Sequence, residues 1–190
     1  MTNQSIGQWI SKCDLKQELL FLSNEHESWS YSQLADALRW CDLLVKDLEP
    51  STCIIEGDYS LYSVAWLLTG LSYGWRMVPV VSKKNTVIDI RSDISDSSYR
   101  VSSKTNWKLE SLPSKTSSVL RPKIKESGVI LFSSGSTGEP KAMCKNMDTM
   151  LEDLLKQKPR PITMGLLLLF DHIGGLNTCL LYTSPSPRDS

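Results

Sequence analysis

Two short apolar runs, 51–55 (STCII) and 77–81 (MVPVV), flank an apolar helical pattern, and this arrangement limits the possible folds more than any other feature of the chain. Neither run alternates with polar residues, so each reads as a strand covered on both faces. Gly57-Asp58 breaks the first run, and Asp58 is placed to cap a helix in which Leu61, Val64, Ala65, Leu68 and Leu71 share one face. Gly74 ends that helix. Strand, helix and strand at this spacing predict a βαβ unit, with parallel strands and a right-handed crossover. The expected fold class is therefore α/β, built from βαβ units around a parallel sheet.

The flanks extend the pattern. Residues 30–48 read as an amphipathic helix with Leu34, Ala37, Leu38, Cys41, Leu44, Val45 and Leu48 on one face. Residues 82–126 are rich in Ser, Lys and Asp and read as surface connection, with short strands around 99–102 and 107–109. Order returns at Gly128, where Val129-Ile130-Leu131-Phe132 is a strand. A helix is expected after Asn146, carrying Met147, Met150, Leu151, Leu154 and Leu155 on one face, and a further buried strand over 164–170.

Composition narrows the function classes. Lys+Arg and Asp+Glu are both 21, so the chain has no basic excess to suit a nucleic acid. No apolar run is long enough to span a bilayer, and the N-terminus lacks a basic start followed by a long apolar core. Cysteines 13, 41, 53, 144 and 179 contain no C-x2-C pair, and His26 and His172 are too few for a histidine metal cluster. These features suit free thiols in a reducing cytoplasm and a site without a resident metal.

The chemistry concentrates in LFSSGSTGEPKAM, Leu131 to Met143. Such a run could be a linker, a surface turn, a capping box over Ser136-x-x-Glu139, or a loop that wraps phosphate. Its expected place between a buried strand and a helix favours phosphate. Gly135 and Gly138 let the backbone come close to a ligand, and successive N–H groups can form an anion nest. Ser133, Ser134, Ser136 and Thr137 add neutral donors, Lys141 adds a point charge, and Pro140 stiffens the approach to it. The order is not G-x-x-x-x-G-K-[ST], because the lysine lies beyond Gly138-Glu139-Pro140 and no hydroxyl follows it.

Ser133 to Lys141 resembles the phosphate-loop signature of the adenylate-forming superfamily, roughly [ST]-[ST]-G-[ST]-T-G-x-P-K-G, with Ala142 in place of the last glycine. Three other stretches are similar to that family in the same order: Trp29-Ser30-Tyr31 with Leu34, the glycine and Val-Pro between Leu67 and Pro79, and Leu169-Phe170-Asp171-His172-Ile173-Gly174-Gly175-Leu176. The last resembles an element near the acyl pocket, in the form found in small fatty-acyl-CoA ligase-like members.

The resemblance implies a partial N-terminal domain of the adenylate-forming fold over 1–178, truncated before domain completion. It implies a two-step ligase that uses ATP and Mg2+, activates a carboxylic acid, expected to be a fatty acid, as acyl-AMP, and passes the acyl group to CoA. Ser133, Ser134, Gly135, Ser136, Thr137, Gly138 and Lys141 would hold the β- and γ-phosphates. His172, with Gly174 and Gly175, would lie at the mouth of the acyl pocket; the alternative is a turn histidine with Asp171 as its local partner. No catalytic residue is expected within the chain itself. A nucleotide-binding protein without catalysis, and an amino-acid or aryl-acid adenylating enzyme, remain as alternatives.

Residues 179–190 are expected to be foreign. Cys179-Leu180-Leu181-Tyr182-Thr183-Ser184-Pro185-Ser186-Pro187-Arg188-Asp189 resembles one reading frame of a transposon-type sequencing adapter. Resequencing the source DNA is expected to depart from these residues at about Cys179. A reading frame that encodes Tyr182 to Ser190 and then stops would make the tail genuine.

Overall fold

The computed structural model describes residues 6–14, 19–24, 26–113, 127–134, 140–146 and 165–183. Helix α1 (Ile6–Asp14) precedes a two-stranded antiparallel hairpin, β1 (Leu20–Ser23) and β2 (Ser28–Ser30), which leads directly into α2 (Tyr31–Val45). Ser30 starts α2 with a capping box. Its Oγ accepts from the Gln33 N–H at 3.3 Å, and Gln33 Oε1 accepts from the Ser30 N–H at 2.8 Å, so two donors at the helix start are satisfied. Leu34, Ala37, Leu38, Cys41 and Val45 are buried as expected, but the helix stops at Val45, and Leu44 and Leu48 are exposed.

Strand β3 (Thr52–Glu56), helix α3 (Leu61–Ser72) and strand β4 (Arg76–Val80) form the expected unit, with β3 and β4 parallel. The helix cap differs from expectation. Ser60, rather than Asp58, caps α3: the Ser63 N–H donates to Ser60 Oγ at 3.1 Å, and the Ser60 N–H donates to Ser63 Oγ at 2.8 Å. Asp58 lies too early in the chain for this and bonds elsewhere.

After β4 the chain enters α4 (Asn85–Ser95) and then β5 (Tyr99–Ser102), a strand at the expected place. Helix α4 lies where surface connection was expected. Of its apolar residues only Ile88 is fully buried, Ile90 is exposed, and Lys84 provides no side-chain cap, so neither periodicity nor a start signal marks it. The strand expected over 107–109 is absent. Asn106 and Trp107 both have positive φ (50° and 59°), which turns the chain, and the pairing with β5 is made by β6 (Glu110–Ser111).

Strand β7 (Gly128–Ser134) pairs parallel with β4, and β8 (Pro140–Lys145) returns antiparallel to β7. The phosphate-loop stretch therefore runs into a strand from Pro140 onwards, where no strand was expected. Pro140 is tolerated because β8 lies at the end of the described sheet. The helix expected after Asn146 lies outside the described residues. Residues 165–170 form no strand. Leu167 is 96% exposed, Leu168 and Leu169 are also exposed, and the chain reaches α5 (Ile173–Thr183) through a turn. Helix α5 runs across position 179, and Cys179 and Leu180 are buried within it.

The six-stranded sheet has the order β6-β5-β3-β4-β7-β8. The middle strands β5, β3, β4 and β7 are parallel, and the two flanking pairs are antiparallel. Alternate side chains split between two cores. Cys53, Ile55, Met77, Val101, Val129 and Leu131 face α1, α2 and α3, along with Trp9, Trp66 and Trp75. Ile54, Val78, Val80 and Ile130 face Ile88 of α4, along with Phe132, Ala142 and Cys144. Helices on both faces explain why β3 and β4 read as continuous apolar runs.

Candidate functional site

Helices α3 and α4 pack on opposite faces of the sheet, although the strands that lead into them, β3 and β4, are neighbours. The loops leaving these strands therefore diverge and open a crevice at their C-terminal ends, where ligands bind in open α/β sheets. Strand β7 is parallel to β4, so the stretch that begins at Ser133 leaves the sheet at the same edge.

The described part of that stretch is a hairpin. Ser133 pairs with Lys141 and Ser134 with Pro140, so residues 135–139 connect two strands whose ends are held in register. Directly paired residues share a face, which puts Lys141 beside Ser133 on the face of α1–α3, and Lys141 is exposed. Gly135, Ser136, Thr137 and Gly138 lie outside the described residues. Ala142, at the position of the family's glycine, pairs with Phe132 on the other face and packs in the second core. A side chain there thus contributes to the sheet rather than facing the loop.

The crevice between β3 and β4 holds a segment of the same chain. Asp58 Oδ1, just after β3, accepts the Phe170 N–H at 3.1 Å and the Tyr59 N–H at 2.9 Å. Asp171 Oδ2 accepts the Val81 N–H at 3.3 Å, just after β4, and Arg91 Nη1 of α4 at 2.8 Å. The Arg91 guanidinium also lies 5.2 Å from the centre of the Phe132 ring on β7, within the range of a cation–π contact. Asp171 is 8% exposed and Arg91 20%, so this ion pair is largely shielded from water.

His172 is 61% exposed, and its Nε2 stands 3.8 Å from Asp171 Oδ1, too far for a hydrogen bond. Among the described residues, the buried Asp171 Oδ1 atom has no hydrogen-bond partner, and neither has the Tyr59 hydroxyl. Burial first, then the neighbouring Cys179, Asp58 and Asp171, pushes Tyr59 well above the ordinary range, so it stays protonated. Gly174 and Gly175 fall in the first turn of α5 rather than in an open loop. A Cβ at Gly175 would lie 2.4 Å from the Tyr59 hydroxyl and 2.5 Å from the Leu169 carbonyl oxygen. The group that approaches Gly175 closely is therefore the chain itself.

The structure brings Ser133, Lys141, His172 and the α5 glycines to the same edge of one sheet. Arg91, Tyr59 and the bonding role of Asp58 escaped sequence reasoning. The Gly57-Asp58 break marked the place of Asp58, but no local signal marked Arg91.

No family model matches the chain, and no curated protein matches it. Solved structures do. The N-terminal subdomain of Klebsiella oxytoca NpsA in complex with 3-hydroxyanthranilyl-AMSN is 16% identical, with a TM-score of 0.67 over 97% of this chain and 51% of that one. The inhibitor-bound N-terminal domain of FACL13 from Mycobacterium tuberculosis is 16% identical, with a TM-score of 0.60 over 95% of this chain and 55% of that one. O-succinylbenzoate Coenzyme A Synthetase (MenE) from Bacillus subtilis in complex with AMP is also 16% identical, with a TM-score of 0.60 over 92% of this chain and 52% of that one. The chain thus has the α/β fold of the N-terminal domains of adenylate-forming enzymes. It spans about half the length of these structures. No helix among the described residues is long and apolar enough to cross a membrane.

Proposed function

We propose that the chain is the N-terminal part of an ATP-dependent acid–thiol ligase, which activates a carboxylate as acyl-AMP and transfers the acyl group to CoA. The observation that carries this reading is the position of the Ser133–Lys141 signature, at the C-terminal edge of a parallel sheet with the adenylate-forming fold. Support comes from the solved structures of this fold that hold AMP or 3-hydroxyanthranilyl-AMSN.

The reaction must bring an anionic carboxylate up to a polyanionic triphosphate. Donors fixed in place before the substrates arrive lower that cost, because nothing has to reorganise at the moment of reaction. The β7–β8 hairpin holds Ser133 and Lys141 in this way, and the Gly135–Gly138 backbone would add N–H groups towards the β- and γ-phosphates. Mg2+ would neutralise charge on the triphosphate. His172, exposed at the same edge, would meet the acid.

The acid class divides the reading. A fatty acid follows from the form of the Leu169–Leu176 element, whereas the NpsA complex favours an aryl acid. Titration of the chain with ATP·Mg2+, AMP, and stable fatty-acyl and aryl adenylate analogues tests it. Saturable binding of ATP·Mg2+, and tighter binding of one adenylate analogue than of AMP, are expected. Equal affinity for all adenylates would favour a nucleotide-binding protein without catalysis, and no nucleotide binding at all would reject both readings.

A further inference from the structure

The Arg91 guanidinium touches both halves of the candidate site. It donates to Asp171 Oδ2 at 2.8 Å and lies over the Phe132 ring at 5.2 Å. Phe132 lies in β7 immediately before Ser133, where the phosphate-loop stretch begins. Asp171 immediately precedes His172, and its Oδ2 also takes the Val81 N–H at the end of β4. One side chain of α4 therefore links the strand that enters the loop with the turn that carries the histidine.

The pair is shielded, with Asp171 8% exposed and Arg91 20%. In such surroundings a carboxylate is retained only if it is matched, and here a guanidinium and one backbone N–H match it. The second oxygen, Oδ1, has no hydrogen-bond partner among the described residues and stands 3.8 Å from His172 Nε2. Where Asp171 sits thus decides what lies beside the imidazole.

We propose that Arg91 is a positioning residue of the nucleotide and acid site, which fixes Asp171, and through it His172, against the strand that enters the phosphate loop. The proposal rests on the nucleotide-binding reading for its affinity arm alone. Arg91 is not assigned a contact with substrate; it acts through Asp171 and Phe132.

The test compares the chain with its Arg91→Met, Arg91→Lys and Asp171→Asn variants. One readout is the imidazole carbon–proton spectrum, in which His172 and His26 are the only two histidines. The other is the affinity for ATP·Mg2+. Arg91→Met is expected to move the His172 cross-peak, leave that of His26 in place, and weaken ATP·Mg2+ binding by about tenfold, equivalent to about 1.4 kcal/mol. Arg91→Lys, which keeps the charge, is expected to return the His172 signal most of the way. If Arg91→Met does not fold, Asp171→Asn reads the same signals, and there the unmatched charge is the guanidinium, the more exposed partner of the pair.

A merely structural tether would lower the unfolding temperature and leave the His172 signal of the folded variant unmoved, and that result overturns the proposal. So does an Arg91→Lys variant indistinguishable from Arg91→Met. If the unaltered chain binds no ATP·Mg2+, the nucleotide reading fails, while the His172 arm still judges the role of Arg91.

Discussion

Replacing Thr137 and Lys141 together by alanine is expected to weaken ATP·Mg2+ binding by at least about a hundredfold. Each side chain would donate to a phosphate oxygen, and a hydrogen bond to a charged group contributes roughly 1.5–3 kcal/mol. Two such losses amount to about 3–6 kcal/mol, and each 1.4 kcal/mol is about tenfold in affinity. Lys145 is the control. It is exposed on the same strand, but it pairs with Val129 at the far end of the hairpin from residues 135–139. Lys145→Ala is expected to change affinity less than about twofold. Titration calorimetry on the three proteins decides: if the double variant matches the unaltered chain, the hairpin does not hold phosphate.

Truncation of Trp66 is expected to have the largest effect on stability. The side chain lies in α3 and is 1% exposed. Its ring meets Trp40 edge-on with centroids 6.0 Å apart, and its Nε1 donates to the Trp107 carbonyl oxygen at 3.0 Å. That bond matters because Trp107 sits in the left-handed turn that ends at β6. Trp66→Ala should cost about 3–5 kcal/mol in urea unfolding, from lost burial and the cavity left behind. A domain has only about 5–15 kcal/mol in all, so much of the population could unfold. Trp66→Phe keeps most of the apolar volume but loses the N–H, and should cost less, about 1–3 kcal/mol. If the two variants are equally stable, the Trp107 turn and not the ring volume dominates, and the packing account of α3 is wrong.

Elements with strong one-dimensional signals could be read directly. Strands β3, β4 and β7 carry apolar residues through their middles, α2 and α3 show a helical stripe, and turn residues separate them. The Ser133–Lys141 signature could be read because its composition is rare and its order fixed. Helix α4 could not, since Ser92 and Ser95 are buried with Ile88 while Ile90 is exposed, so burial and hydrophobicity do not coincide. The exposed leucines 167–169 misled in the opposite direction: an apolar run implies burial, and here the chain passes over the sheet edge instead.

The sequence by itself determined the βαβ core, the parallel sheet and the placing of the Ser133–Lys141 signature at a strand end. Each depends on local spacing and on residues within a few positions of one another. The tertiary structure alone decided that this loop is closed by a strand, because β8 pairs with β7 residue by residue from Ser134 and Pro140 onwards. It also decided that Asp58 and Asp171 hold the 170–172 turn in the crevice between β3 and β4, and that Arg91 meets both Asp171 and Phe132. Those partners are far apart along the chain. A bond between distant residues leaves no periodicity in either segment, so it exists only once the sheet has brought its strand ends to a common edge.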